Sequence, residues 1–319
     1  MASGKWLRVP YPADGIVMDS DHSVKEAIRV ALHQAGACRV GFAAAEPIDQ
    51  KVAASYAAWI TGGNHGEMNY LDRYHDVRND PRLLLDGART IISCAFDYRP
   101  SLRHPLFADY SLGLDYHEVI RQRLAPVTEY LCRRFGGQMR ICVDTAPIRE
   151  RYWAARAGVG IIGLNGLLIV DGVGSKVFLA EIIWTEEVSP DLSRLGESCK
   201  QCGACLRACP GKALKGDCTL DARRCNSYLT IEYRGELPDD LKLPGRIYGC
   251  DICQDVCPHN RTAGTTSLTE FTPSDALLRL DTEAISRLTP EPFNQIFRHS
   301  AVRRTKLSGL LRNLQKNQK

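Results

Sequence analysis

Cys199-Lys200-Gln201-Cys202-Gly203-Ala204-Cys205-Leu206-Arg207-Ala208-Cys209-Pro210 is answered further along the chain by Cys250-Asp251-Ile252-Cys253-Gln254-Asp255-Val256-Cys257-Pro258. The first stretch has the C-x2-C-x2-C-x3-C-P spacing by which two-cluster ferredoxins hold iron-sulfur cubes, three thiolates gripping one cluster while the fourth reaches to the other. By that rule Cys199, Cys202 and Cys205 take Cys257 as their fourth ligand, while Cys209 joins Cys250 and Cys253. The second set is then one thiolate short. Cys218 and Cys225 both lie between the two runs, and spacing does not choose between them.

Paired C-x2-C motifs also build tetrahedral zinc sites. Four cysteines within eleven residues, with proline after the last and an echo downstream, fit the ferredoxin spacing better than a zinc ribbon. Disulfides are not expected. The opening Met1-Ala2-Ser3-Gly4-Lys5-Trp6-Leu7 has no apolar core of a secretory signal, so a reducing cytoplasm is the expected location. Cys38, Cys94, Cys132 and Cys142 sit in apolar stretches and read as small hydrophobes.

Working outward, 319 residues with 44% hydrophobic and 24% charged side chains describe a soluble globular chain with room for two domains. No apolar run is long enough to span a bilayer, so a membrane is not an expected partner. The net charge of +4 conceals an asymmetry: residues 298–319 carry seven basic residues and no acid, which leaves −3 on the rest. Such a tail is a candidate phosphate-binding surface, with a solvated helix end as the plain alternative.

Residues 23–35 place Val24, Ile28, Ala31 and Leu32 on one helical face, and residues 38–42 follow as a strand. Further helices are expected over 49–60, 116–135 and 148–157, with strands over 90–96 and 139–143, which together make an α/β (α+β) front domain. Segments 166–170 and 176–184 read as a hairpin about Asp171-Gly172-Val173-Gly174. Gly158, Gly160 and Gly163 match G-x-G-x-x-G, but they follow a helix rather than a strand, which excludes the dinucleotide fingerprint. They are expected instead to permit a tight turn or the close approach of a flat cofactor. From Glu270 onward the pattern is helical.

Four blocks in the chain carry a family resemblance: Val143-Asp144-Thr145-Ala146-Pro147-Ile148-Arg149-Glu150-Arg151; Ala157-Gly158-Val159-Gly160-Ile161-Ile162-Gly163; Cys225-Asn226-Ser227-Tyr228-Leu229-Thr230-Ile231-Glu232; and Gly249-Cys250-Asp251-Ile252-Cys253-Gln254. In this order they resemble the signature of epoxyqueuosine reductases, from about His65-Gly66-Glu67-Met68 to Arg312-Asn313. The resemblance implies two 4Fe-4S clusters and a base-off cobalamin, acting on tRNA that carries epoxyqueuosine in the last step of queuosine synthesis. It makes Cys225 the missing ligand and Cys218 a bystander. It also implies an oxidoreductase organised as an α/β cobalamin and substrate domain over 1–186, a ferredoxin-like domain over 187–262, and a short helical C-terminal segment with the basic tail over 263–319. A monomer and an external low-potential electron donor are expected.

Reducing an epoxide to an alkene takes two electrons and expels the oxygen as water, so a proton source must stand beside that oxygen. The resemblance gives this role to Asp144, just after an expected strand, tuned by burial toward its protonated form. The plain alternative is helix capping by an Asp-Thr-x-Pro turn. Arg149, Asn165, Ser227, Tyr228, Glu232 and Asp251 are the further residues expected around the cofactor, besides Asp144 itself. Two departures stand out. Gly163-Leu164-Asn165 replaces a Gly-Lys-Asn common in the family, and many members continue into helical repeats beyond Arg-Asn, so here the basic tail is the expected substitute grip on tRNA. The competing readings are a cobalamin-dependent reductive dehalogenase, without the export signal such enzymes usually carry, and a pure electron carrier or corrinoid activator.

Overall fold

The computed structural model describes residues 21–318; the opening heptapeptide and Lys319 lie outside them. Strands β1 (Arg39–Ala44), β2 (Thr90–Asp97) and β3 (Met139–Cys142) are joined by two short strands, β4 (Ile161–Ile162) and β5 (Leu168–Ile169), and by β6 (Val177–Trp184). Four of them form one sheet in the order β1-β2-β6-β3. Every pair in it is antiparallel, so the alternation of helix and strand in the sequence does not produce a parallel sheet.

Both faces of this sheet are covered. Helices Asp21–Gln34 and Tyr116–Phe135 pack on Ile92, Cys94, Phe96, Ala180, Ile182 and Trp184. Helix Glu150–Arg156 sets Trp153, Ala154 and Ala155 against Ile91, Ala95, Leu179 and Ile183 on the other face. Successive strand residues point to opposite faces, and here both faces are dry, which is why β2 and β6 read as continuous apolar runs. One polar residue interrupts β6: Glu181 is fully buried opposite Ser93, whose hydroxyl donates to it at 3.1 Å.

The expected hairpin of 166–170 with 176–184 does not form. Instead β4 pairs with β5 around Leu164-Asn165-Gly166, and β6 is claimed by β2 and β3, whose longer apolar faces offer it more burial. The glycine turn serves that small hairpin. A Cβ on Gly160 would stand 2.4 Å from the Ile169 carbonyl oxygen, so close backbone packing requires glycine there.

The cysteine segment is fastened to the front domain by buried ions. Lys176 Nζ lies 2.5 Å from Asp109 and 2.7 Å from Asp255, while Arg103 reaches the same two carboxylates at 2.8 Å. Asp251 accepts the Asp109 backbone N–H at 2.8 Å and pairs with Arg246 at 3.2 Å. Residues beyond 262 add Leu268 and Phe271 to the sheet's core, and a further core joins Leu106, Phe107 and Leu112 to Phe293, Phe297, Val302, Leu310 and Leu314. Among the described residues no helix is long and apolar enough to cross a membrane.

Candidate active site and two thiol foursomes

The eight motif cysteines sort by proximity into two groups. Cys205 neighbours Cys199 and Cys257, and Cys257 neighbours Cys202 and Cys199. Cys253 neighbours Cys225, Cys250 and Cys209 first, and Cys205 of the other group last. Cys225 thus lies beside the three thiols left one short by the spacing, and Cys218 lies near Cys199 of the first group.

Backbone N–H groups point at these sulfurs. Ala213 donates to Cys209 Sγ at 3.3 Å, Ser227 and Tyr228 donate to Cys225, and His259 and Asn260 donate to Cys257. Among the described residues no group of three or more His, Cys, Asp or Glu closes on a single-ion site. Two foursomes lined with N–H donors suit clusters, whose ligands stand further apart than those of a single zinc. The first foursome lines a small cavity of about 20 Å³ that opens toward solvent, walled also by Leu164, Asn165 and Ile169. Cys202 is exposed, whereas Cys209 of the second foursome is buried.

A second, larger cavity of about 740 Å³, open to solvent, lies between the front domain and the C-terminal segment. Its wall includes Tyr70, Tyr110, Tyr116, His117, Asp144, Glu232, Tyr248 and Arg304. Helix Asn226–Ile231 starts at Cys225 and ends on this cavity, linking a thiol of the second foursome to its floor.

Asp144 follows β3 in a left-handed conformation, φ +52°, which is costly for a residue with a side chain and aims the carboxylate at the start of helix Tyr116–Phe135. There Asp115 caps the helix by accepting the His117 backbone N–H at 3.0 Å. The His117 ring is bracketed, with Nδ1 2.6 Å from Asp115 Oδ1 and Nε2 2.9 Å from Asp144 Oδ2. Tyr116 stacks flat on Phe178, 4.2 Å between centroids, with its hydroxyl beside Asp144. Behind the loop, Glu150 accepts the Asp144 backbone N–H at 2.5 Å.

This environment corrects the expected protonation of Asp144. Enclosure pushes its carboxyl upward, but the hydrogen bond and charge of His117, with the Tyr116 hydroxyl, outweigh it and hold Asp144 below the usual carboxylate range. Burial alone would lower His117; the two flanking carboxylates instead raise it to about 9. Of the pair, His117 is the group held toward its protonated form. Burial and the Asp144 charge hold Glu150 above its ordinary range. Nor does Asp144 cap the following helix, whose N-cap is Arg149 with no side-chain bond.

The other expected cofactor residues fall in different places. Glu232 lines the large cavity and pairs with Arg304 at 2.8 Å. Arg149 donates to Asn79 Oδ1 at 2.7 Å and lies 3.9 Å over the Tyr56 ring, holding the segment that carries Arg78. Ser227 and Tyr228 serve Cys225 through their backbones, and the Tyr228 hydroxyl accepts the Glu67 N–H at 2.7 Å, clamping residues 65–68. Asp251 is committed to the buried ion cluster, and Asn165 lies at the first foursome. The basic tail divides likewise. Arg312 donates to the carbonyls of Leu229, Tyr233 and Gly235, and Lys316 to that of Asp239, so both are structural. Arg298, Arg303 and Arg304 line the large cavity. Sequence reasoning missed Asp115, Tyr116 and His117, because Asp before a helix reads as an ordinary cap.

A two-foursome thiol site beside a cavity with a bracketed histidine defines an iron-sulfur oxidoreductase. Residues 198–260 match the 4Fe-4S double cluster binding domain, and residues 78–145 match the model described as epoxyqueuosine reductase QueG, DUF1730. The chain is 35% identical to the epoxyqueuosine reductase of Cellulophaga algicola over 302 residues, covering 92% of this chain and 96% of that one. The Cyclobacterium marinum epoxyqueuosine reductase is 39% identical over 80% of this chain and 84% of its own. A solved epoxyqueuosine reductase with a tRNA-Tyr epoxyqueuosine-modified stem loop superposes with TM-score 0.85 at 27% identity, over 93% of this chain and 81% of that one. This chain belongs to the epoxyqueuosine reductase family.

Proposed function

We propose that this enzyme reduces epoxyqueuosine to queuosine in tRNA, the final step of queuosine synthesis, using two 4Fe-4S clusters and a base-off cobalamin. The observation that carries the reading is the His117–Asp144 pair, 2.9 Å apart, on the wall of a cavity whose floor is joined by one short helix to Cys225. That cavity, about 740 Å³, lies within the roughly 300–1,000 Å³ of ordinary small-molecule sites, and its tyrosines offer flat faces suited to a corrin. Glu232, Tyr70 and Tyr248 would hold such a group. When bound, clusters and cobalamin supply the low-potential electrons that open the epoxide.

Two protons are consumed as the C–O bonds break and the oxygen leaves as water. His117 passes one to the departing oxygen, directly or by way of Asp144, and the second comes from solvent, to which the cavity is open; Asp115 and Asp144 keep the imidazole oriented. Arg298 and Arg303, exposed at the rim, meet tRNA phosphates. The stem-loop complex of the related reductase supports tRNA as the substrate.

In this reading the enzyme works as a cytoplasmic monomer fed by an external low-potential donor. Electrons enter at the first foursome, where exposed Cys202 is ringed by cations: Arg207 donates to the Cys202 carbonyl at 3.0 Å, and Lys212 donates to that of Arg207 at 2.9 Å. Incubating the reconstituted, reduced protein with epoxyqueuosine-containing tRNA tests the whole reading by nucleoside mass analysis. Loss of one oxygen is expected; intact epoxide with both clusters and corrinoid in place would overturn it. A pure electron carrier would bind no stoichiometric corrinoid.

A further inference from the structure

Asn165 is buried, 4% exposed, at the tip of the β4–β5 hairpin. Its Oδ1 accepts the Leu167 backbone N–H at 3.3 Å, which fixes which end of the amide faces which way. The other end, Nδ2, is buried with no hydrogen-bond partner in the protein. Asn165 is also a wall of the cavity lined by Cys199, Cys202, Cys205 and Cys257. His259 Nε2 is a second partnerless buried nitrogen on a residue of the same wall. Buried amide N–H groups without acceptors are rare in folded proteins, and here the missing acceptor coincides with the one cavity built of four thiols.

We propose that the Asn165 side-chain N–H donates a hydrogen bond to a sulfur of the first cluster and thereby raises that cluster's reduction potential above what its thiolates alone would set. The reading rests on the first foursome holding a 4Fe-4S cluster. A donor to cluster sulfur stabilises the more negative, reduced state, so its potential rises. The second foursome differs in that its donors are backbone ones, Ala213 N–H on Cys209 and Ser227 and Tyr228 N–H on Cys225. Asn165 thus gives the exposed cluster a side-chain donor that eases its reduction, which suits the cluster that meets an external donor. It is a positioning residue for electrons: its neighbour Leu164 is apolar, so this amide is the polar side chain that the hairpin tip contributes to the cavity wall.

The test uses the full chain with both clusters reconstituted and no cobalamin or tRNA added, titrated electrochemically with EPR detection. Iron and sulfide content first checks the cluster reading itself: about eight irons per chain are expected, and far fewer would sink that reading separately. The wave belonging to the first cluster is identified by its displacement in Cys202→Ser. Asn165→Ala is expected to move that wave to more negative potential while the other wave stays in place. Asn165→Asp keeps the acceptor for Leu167 N–H, so it preserves the turn and supplies the reading if the alanine variant fails to assemble; it too should move the first wave downward. First-cluster waves unchanged in both variants, or both waves displaced equally as by general loosening, would overturn the proposal.

Discussion

His117 Nε2 stands 2.9 Å from Asp144 Oδ2, joining the first turn of one helix to the loop after a strand twenty-seven residues later. Because Asp115 holds the other ring nitrogen at 2.6 Å, the imidazole is fixed between two carboxylates and carries the proton that Asp144 does not. Replacing Asp144 with Asn removes the charge that keeps this proton on offer. Turnover should fall by at least about 100-fold, the usual yield of a positioned acid, while cluster absorption and corrinoid retention stay unchanged. Wild-type turnover in that variant would remove Asp144 from the chemistry.

The pH dependence follows from His117. Its pKa rises from 6.5 to about 9 on folding, so its contribution to stability is complete below pH 6.5 and disappears as pH climbs through about 9. Activity should be flat across neutrality and decline above about pH 9. Chemical denaturation at several pH values should show His117→Gln losing much of this alkaline drop. A variant with the wild-type slope would place the titration elsewhere.

The basic tail should not behave as one unit. Arg298→Ala with Arg303→Ala is expected to weaken tRNA binding and to reduce the salt slope by roughly 0.7–0.9 for each phosphate no longer neutralised, with little change in melting temperature. Arg312→Ala removes donors from three backbone carbonyls and should instead cost about 1–3 kcal/mol of stability. Binding isotherms at several salt concentrations, set beside thermal melts, separate the two.

Electron entry can be tested without turnover. Reversing charge at Lys200 and Lys212 should slow cluster bleaching by an acidic flavoprotein or ferredoxin, most at low ionic strength, and leave bleaching by dithionite nearly unchanged. Equal slowing with both reductants would point to damaged clusters rather than impaired docking.

Tyr228→Phe deletes the acceptor of the Glu67 N–H and should cost about 1–3 kcal/mol. The two clusters should still assemble, since Tyr228 serves Cys225 through its backbone. Protease sensitivity near residues 65–68 is the direct measure of the loosened clamp.

Much of this was legible in the chain. Strong 3.6-residue periodicity located helices Asp21–Gln34 and Tyr116–Phe135, and uninterrupted apolar runs located β2 and β6. The C-x2-C spacing grouped seven of the eight thiols, since a cluster's reach is short and the loop carries its own ligands. The partner of β6 was not legible, because apolar runs say that a strand is buried and not which edge it joins. Nor were the contacts of Tyr228 and Asp251, whose side chains accept the Glu67 N–H and pair with Arg246.

By itself, then, the sequence determined that electrons reach this protein through two clusters and that a carboxylate at position 144 follows a strand. Only the tertiary structure decided where the proton sits. A carboxyl group's charge depends on what surrounds it, and Asp144 is surrounded by His117 and Tyr116, which the fold brings from another element. Likewise the residue type made Asn165 a candidate ligand for many things, and the turn bond to Leu167 decided that its free N–H is the end left for the thiol-walled cavity.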